Sequence, residues 1–89
     1  MPSTVTLVHT PACHFCADAE QALAELAERM PLRVELVAAS SDAGAVLVAE
    51  HRPAMFPLVL LDGEYFSAGR LPRRKLAARL AARREVAAP

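Results

Sequence analysis

The sequence predicts an α/β domain in the order β-α-β-α-β-β-α, with a mixed four-stranded sheet flanked by helices. Three observations carry that prediction. The hydrophobic period switches between two and about 3.6 residues along the chain, an Asp62-Gly63 dipeptide joins two apolar runs, and proline or glycine stands at most changes of period. A strand-helix-strand opening calls for a parallel, right-handed crossover, and the Asp-Gly hairpin adds an antiparallel partner. The 89 residues fill one domain, 1–89, with no room for a second core.

Taken in order, Val5-Thr6-Leu7-Val8 reads as a buried strand stopped by His9-Thr10-Pro11. From Cys13 the period lengthens. Cys16, Ala19, Leu23, Leu26, Ala27 and Met30 recur at three- and four-residue steps, which predicts an amphipathic helix ending before Pro31. Its early carboxylates are expected to suit the positive end of the helix dipole. Leu32 to Val37 alternates apolar with charged, as a half-buried or edge strand does. Ser40-Ser41-Asp42 supplies capping chemistry for a short second helix reaching about His51, although Gly44 and several valines lower its propensity. Pro57 to Leu61 is a continuous apolar strand, Glu64 to Ser67 the returning one. Pro72 then stands at the first turn of a last helix with a stripe of Leu76, Ala77, Leu80 and Ala81.

Composition excludes several function classes. Ten basic and ten acidic side chains cancel, and aromatic residues make up 4%, which disfavours a nucleic-acid partner. An apolar fraction of 54%, 19 of those residues being alanine, excludes disorder. The longest uncharged apolar run, Pro53 to Leu61, is far short of the roughly 20 residues of a membrane span. The opening Met1-Pro2-Ser3-Thr4 lacks a secretory pattern, so a cytoplasmic address is the expectation, for a chain taken as a monomer without membrane contact.

The chemistry rests on Cys13-His14-Phe15-Cys16, which contains both cysteines of the chain. Random placement would give this spacing in roughly 2% of cases, so the spacing carries information. Residues i and i+3 at the first turn of a helix lie on one face, with α-carbons about 5–6 Å apart. That is close to what a disulfide requires. Unpaired backbone N–H groups and the dipole at a helix start favour an anion, and thiolate is the attacking species of thiol–disulfide exchange. Cys13 is therefore expected to be the exposed nucleophile and Cys16 the sheltered resolving thiol. A purely structural disulfide is a weaker reading, because a four-residue loop removes little chain entropy. Zinc would need four ligands, and covalent haem would need a histidine where Ala17 stands.

Together, the Cys-x-x-Cys opening the first helix, the run Pro57-Leu58-Val59-Leu60-Leu61-Asp62-Gly63-Glu64 and the Gly69-Arg70 pair before the last helix resemble the thioredoxin fold. More narrowly they resemble the small glutaredoxin-like proteins of bacteria, over about Thr4 to Ala82. The resemblance implies a cis Phe56–Pro57 bond beside the cysteines. It also implies a substrate-binding rim of Phe56, Pro57, Gly69 and Arg70, to which His14 and Phe15 are added by their place between the cysteines. The partners it implies are a disulfide-containing protein or low-molecular-weight thiol, and an external reductase or thiol as electron donor. No flavin or nicotinamide fingerprint is present, so no resident cofactor is expected.

This sequence departs from the glutathione-binding pattern of that family. His14-Phe15 replace Pro-Tyr, Thr10 replaces a basic residue, and residues 67–74 carry no carboxylate. Arg70 would instead hold a substrate carboxylate. His14, when protonated, would stabilise a neighbouring thiolate, although a solvent-facing first-turn residue is an equal reading. His9 reads as structural and His51 as a helix terminus suited to the dipole. Arg70, Arg73, Arg74, Lys75, Arg79, Arg83 and Arg84 read mainly as a solvated face, with docking on an acidic partner as the second reading. Two further functions stay open at this point. One is a carrier holding a metal or iron–sulfur cluster between two subunits, which needs further thiolates, and the other is a redox-inactive interaction domain.

Overall fold

The computed structural model describes residues 2–87, with side chains as far as Arg83. Its elements are β1 (Ser3–His9), α1 (His14–Arg29), β2 (Leu32–Ala38), α2 (Asp42–His51), β3 (Leu58–Leu61), β4 (Glu64–Ala68) and α3 (Arg73–Ala87). The four strands form one sheet in the order β2-β1-β3-β4. β1 runs parallel to β2, with Ser3 opposite Leu32 and His9 opposite Ala38. β3 is antiparallel to both β1 and β4. The expected mixed sheet is therefore present, with its two most deeply buried strands, β1 and β3, at the centre. All four residues of β3 are buried, as expected for a strand covered on both faces, while in β2 at the edge the expected alternation holds from Leu32 to Glu35 and breaks at Leu36, which is 52% exposed.

Side chains alternate across a strand, so each central strand feeds two cores. On one face Val5, Leu7, Val59 and Leu61 meet Leu23 of α1 and Leu76 of α3. On the other, Val8, Leu58 and Leu60 meet Leu47 and Val48 of α2, together with Phe56. The result is three layers, with the start of α1 standing at the end of a central strand.

Three local expectations are corrected. The buried stripe of α1 is Cys16, Ala19, Ala22, Leu23 and Leu26, and Ala27 faces solvent. Ala22 and Ala27 differ by 140° around a 3.6-residue helix, and only the former lies on the arc facing the sheet. The first turn of α1 contains no acidic residue. Asp18 comes later, and its carboxylate is taken by Arg73 across the helix–helix contact at 2.7 Å. Pro72 is the N-cap of α3 rather than part of its first turn, its carbonyl accepting from Leu76 N–H at 3.0 Å.

Gly44 has a packing role that propensity does not show. A Cβ there would overlap the carbonyl oxygen of Ala38 and come within 2.9 Å of the Ala39 α-carbon. The glycine lets α2 lie directly against the end of β2. Ser41 caps the same helix, its Oγ accepting from Gly44 N–H at 3.0 Å and donating to Ala38 O at 2.6 Å.

The hairpin turn has φ of 49° at Asp62 and 85° at Gly63, the left-handed pair that two-residue hairpins favour. Asp62 also ties the turn to β1: its N–H donates to Thr4 O and its Oδ1 accepts from Thr4 N–H, both at 2.8 Å. Its Oδ2 meets Arg83 at 2.9 Å.

Candidate active site

The site is built where β1 ends. Thr10, Pro11 and Ala12 turn the chain, and Ala12 sits at φ 52°, left-handed backbone that costs a non-glycine residue about 1–2 kcal/mol. Immediately after it, Cys13 adopts an extended conformation and becomes the N-cap of α1. Its Sγ accepts from Cys16 N–H at 3.1 Å, and its carbonyl accepts from Ala17 N–H at 3.1 Å. A cysteine sulfur thus takes the place that serine or aspartate oxygen usually fills at a helix start.

Cys13 and Cys16 are joined by a disulfide, with α-carbons 5.1 Å apart. The two sulfurs differ in access as the sequence predicts. Cys13 is partly exposed, whereas Cys16 lies on the buried face of α1 with 2% of its surface accessible.

The opposite wall comes from the approach to β3. The Phe56–Pro57 peptide is cis, and Phe56 O lies 3.8 Å from Cys13 Sγ. The Phe56 side chain is packed with Leu58 and Leu60 in the α2-side core, so the residue presents mainly its carbonyl to the sulfur. Pro57 is buried, and its carbonyl accepts from Gly69 N–H at 3.0 Å. Gly69 is itself buried at φ 94°, beneath the side chain of Met55. Its role in the fold is to bring the β4–α3 connection against Pro57.

Four of the sequence-predicted residues therefore converge: Cys13, Cys16, Phe56 and Pro57, with Gly69 behind them. His14 is exposed on the first turn, Phe15 is 39% exposed beside the disulfide in sequence, and Arg70 is exposed one residue beyond Gly69. The depression at the cysteines measures about 460 Å³ and is lined by Thr10, Ala12, Cys13, His14, Cys16, Ala17 and Glu20. Sequence reasoning missed Glu20 and Met55 here. Glu20 follows Cys16 by four residues, a helical-face relation that was readable. Met55 carries no such signal, because its place depends on a backbone contact with a residue fourteen positions away. It is 51% exposed.

The chain's similarity to solved structures extends over nearly all of it. A thioredoxin-like protein from Clostridium perfringens, solved in solution, superposes with a TM-score of 0.74 over 91% of this chain and 70% of that one, at 10% identity. A single-substitution variant of thioredoxin from Halobacterium salinarum gives 0.66 over 90% and 73%, at 16% identity. The chain has the thioredoxin fold. No protein-family model and no curated protein sequence matches it. On this thioredoxin fold, a Cys-x-x-Cys pair at the start of α1 supports a redox role in general. Among the described residues no helix is long and apolar enough to cross a membrane, and no three His, Cys, Asp or Glu side chains converge as a metal site.

Proposed function

We propose that the protein is a thiol–disulfide oxidoreductase of the glutaredoxin-like kind. The observation that carries this reading is the N-cap position of Cys13. Its sulfur accepts a backbone N–H at the positive end of α1 while standing partly exposed beside Phe56 O. In the reduced protein the same donor and dipole favour the ionised thiolate.

The Cys13 thiolate attacks one sulfur of a substrate disulfide. A new S–S bond forms, the substrate bond breaks, and its second sulfur leaves as a thiolate that takes a proton. Cys16 then loses its proton and attacks Cys13 Sγ, releasing the other substrate thiol. The substrate gains two electrons and two protons, and the protein is left with its Cys13–Cys16 disulfide. An external low-molecular-weight thiol or reductase restores the dithiol. Both cysteines serve the exchange, which suits a protein working in the reducing cytoplasm, as a monomer.

The test is mass spectrometry of alkylated thiols after equilibration between about −150 and −350 mV. A reversible two-electron transition is expected, together with a trapped mixed disulfide in Cys16→Ser and none in Cys13→Ser. Absence of any reversible intramolecular disulfide across that range overturns the reading.

A further inference from the structure

Residues 65–84 contain seven basic side chains and no carboxylate. Four of these, Arg70, Arg73, Arg74 and Lys75, stand exposed in the β4–α3 connection and the first turn of α3. Helix stability favours the reverse arrangement, since the positive end of the macrodipole prefers acids and disfavours cations. Arg73 is paired with Asp18 at 2.7 Å. Lys75 stands 5.5 Å from the centre of the Phe66 ring, a contact that leaves its charge intact. Arg70 and Arg74 make no ion pair among the described residues.

This cationic cluster is linked to both walls of the disulfide site. Gly69, which precedes Arg70, is bonded to Pro57, and the neighbouring Phe56 carbonyl faces Cys13 Sγ. Arg73 is tied to α1 five residues beyond Cys13. Two depressions meet here and share Leu71, Arg73 and Arg74. One, of about 450 Å³, is walled by the four cations with Leu71 and Pro72. The other, of about 180 Å³, lies between α1 and α3 and is walled by Leu26, Leu71, Leu76 and Ala77, with the opposite charges Glu25 and Arg29 also on its lining. A dry cavity of about 150 Å³ accommodates benzene, so this groove has room for one aromatic or branched aliphatic side chain.

We infer that this surface docks an acidic segment of a disulfide-bearing protein substrate. The carboxylates of that segment meet Arg70, Arg74 and Lys75, and an adjacent apolar side chain enters the groove between α1 and α3. The inference rests on the oxidoreductase reading and names its substrate class. Charge complementarity selects an anionic occupant. The apolar groove selects protein over nucleic acid, because bases bind single-stranded sites by stacking on exposed aromatic rings, and the ring beside these cations, Phe66, is buried with Lys75 and Arg79 over it.

The test compares two disulfide-bonded peptides of equal length, one with Asp, Glu and Leu beside its cysteines and one with Lys and Leu. Each is reduced by the full chain with dithiothreitol as electron donor, at low and high ionic strength. The acidic peptide is expected to be favoured about tenfold, mainly through KM, at about 0.05 M ionic strength, and by no more than about twofold at about 0.5 M. R74E and K75E should erase the preference and R74K retain it. Turnover of the neutral bis(2-hydroxyethyl) disulfide should stay unchanged in all three, and Tm should rise by a few degrees in R74E, because glutamate in a first turn suits the dipole, but not in K75E, which also loses the Lys75–Phe66 contact. Equal rates on the two peptides, or a preference that survives R74E and K75E, overturns the docking assignment alone. So does tighter binding of a single-stranded oligonucleotide than of the acidic peptide by fluorescence anisotropy. No turnover of any disulfide by the unaltered chain overturns the oxidoreductase reading as well.

Discussion

Replacing Gly44 by alanine sets two physical effects against each other. Alanine at the third position of α2 gains up to about 1 kcal/mol of helix propensity. The added methyl, however, overlaps the Ala38 carbonyl oxygen and lies 2.8 Å from the Ala38 carbonyl carbon and 2.9 Å from the Ala39 α-carbon. All three atoms are backbone, so no rotamer change relieves them, and α2 must lift from the end of β2. Overpacking of this kind costs about 1–3 kcal/mol, here toward the upper end. The lift also pulls Gly44 N–H from Ser41 Oγ, a cap worth about 1 kcal/mol. The net expectation is a loss of about 2–3 kcal/mol, or about 8–24 °C in Tm for a domain of this size. Urea denaturation of the oxidised protein followed by circular dichroism measures it. Ala45→Gly, at the exposed next position, isolates propensity and should cost about 1 kcal/mol or less. Gly44→Ala as stable as the unaltered protein, or more so, would refute the close contact between α2 and β2.

Further outcomes are expected elsewhere. Ala12→Gly should stabilise the protein by about 0.5–1 kcal/mol, because glycine takes the left-handed backbone at φ 52° without strain; thermal denaturation reads it, and a loss would show the turn to be relaxed. Asp62→Ala should cost about 1–2 kcal/mol by leaving Thr4 N–H and Arg83 without their acceptor and weakening the left-handed turn, measurable in the same urea series. In reduced Cys16→Ser, the absorbance of the Cys13 thiolate at 240 nm should titrate below the free-cysteine range of about 8.5. An ordinary value would remove the activation that the N-cap position supplies.

How far the site was readable follows from the range of the interactions that make it. The Cys13–Cys16 pair lies within one helical turn, so spacing and the strand-to-helix change of period were enough to place one sulfur at the cap and the other on the buried face. The Asp62-Gly63 turn was equally local, since positive φ is a property of the two residues themselves. Gly44 shows the limit of such reasoning. Its propensity marks it as a weak helix residue, yet its value lies in a contact with Ala38 that no periodicity encodes. The α1 stripe shows a subtler limit: Ala22 and Ala27 are chemically identical, and only the direction of the sheet decides which is buried.

By itself the sequence determined the order of elements, the parallel crossover, the hairpin and the pairing of Cys13 with Cys16, because each depends on neighbours a few positions apart. Resemblance put Phe56–Pro57 beside those sulfurs, but only the tertiary structure decided which atoms face them. Phe56 O reaches Cys13 across 43 residues, and Gly69 fixes Pro57 through a backbone bond. Arg73 crosses 55 residues to Asp18 and ties the start of α3 to α1. Such contacts form when separate strands and helices close on a shared core, and their partners are set by register and packing rather than by any spacing along the chain.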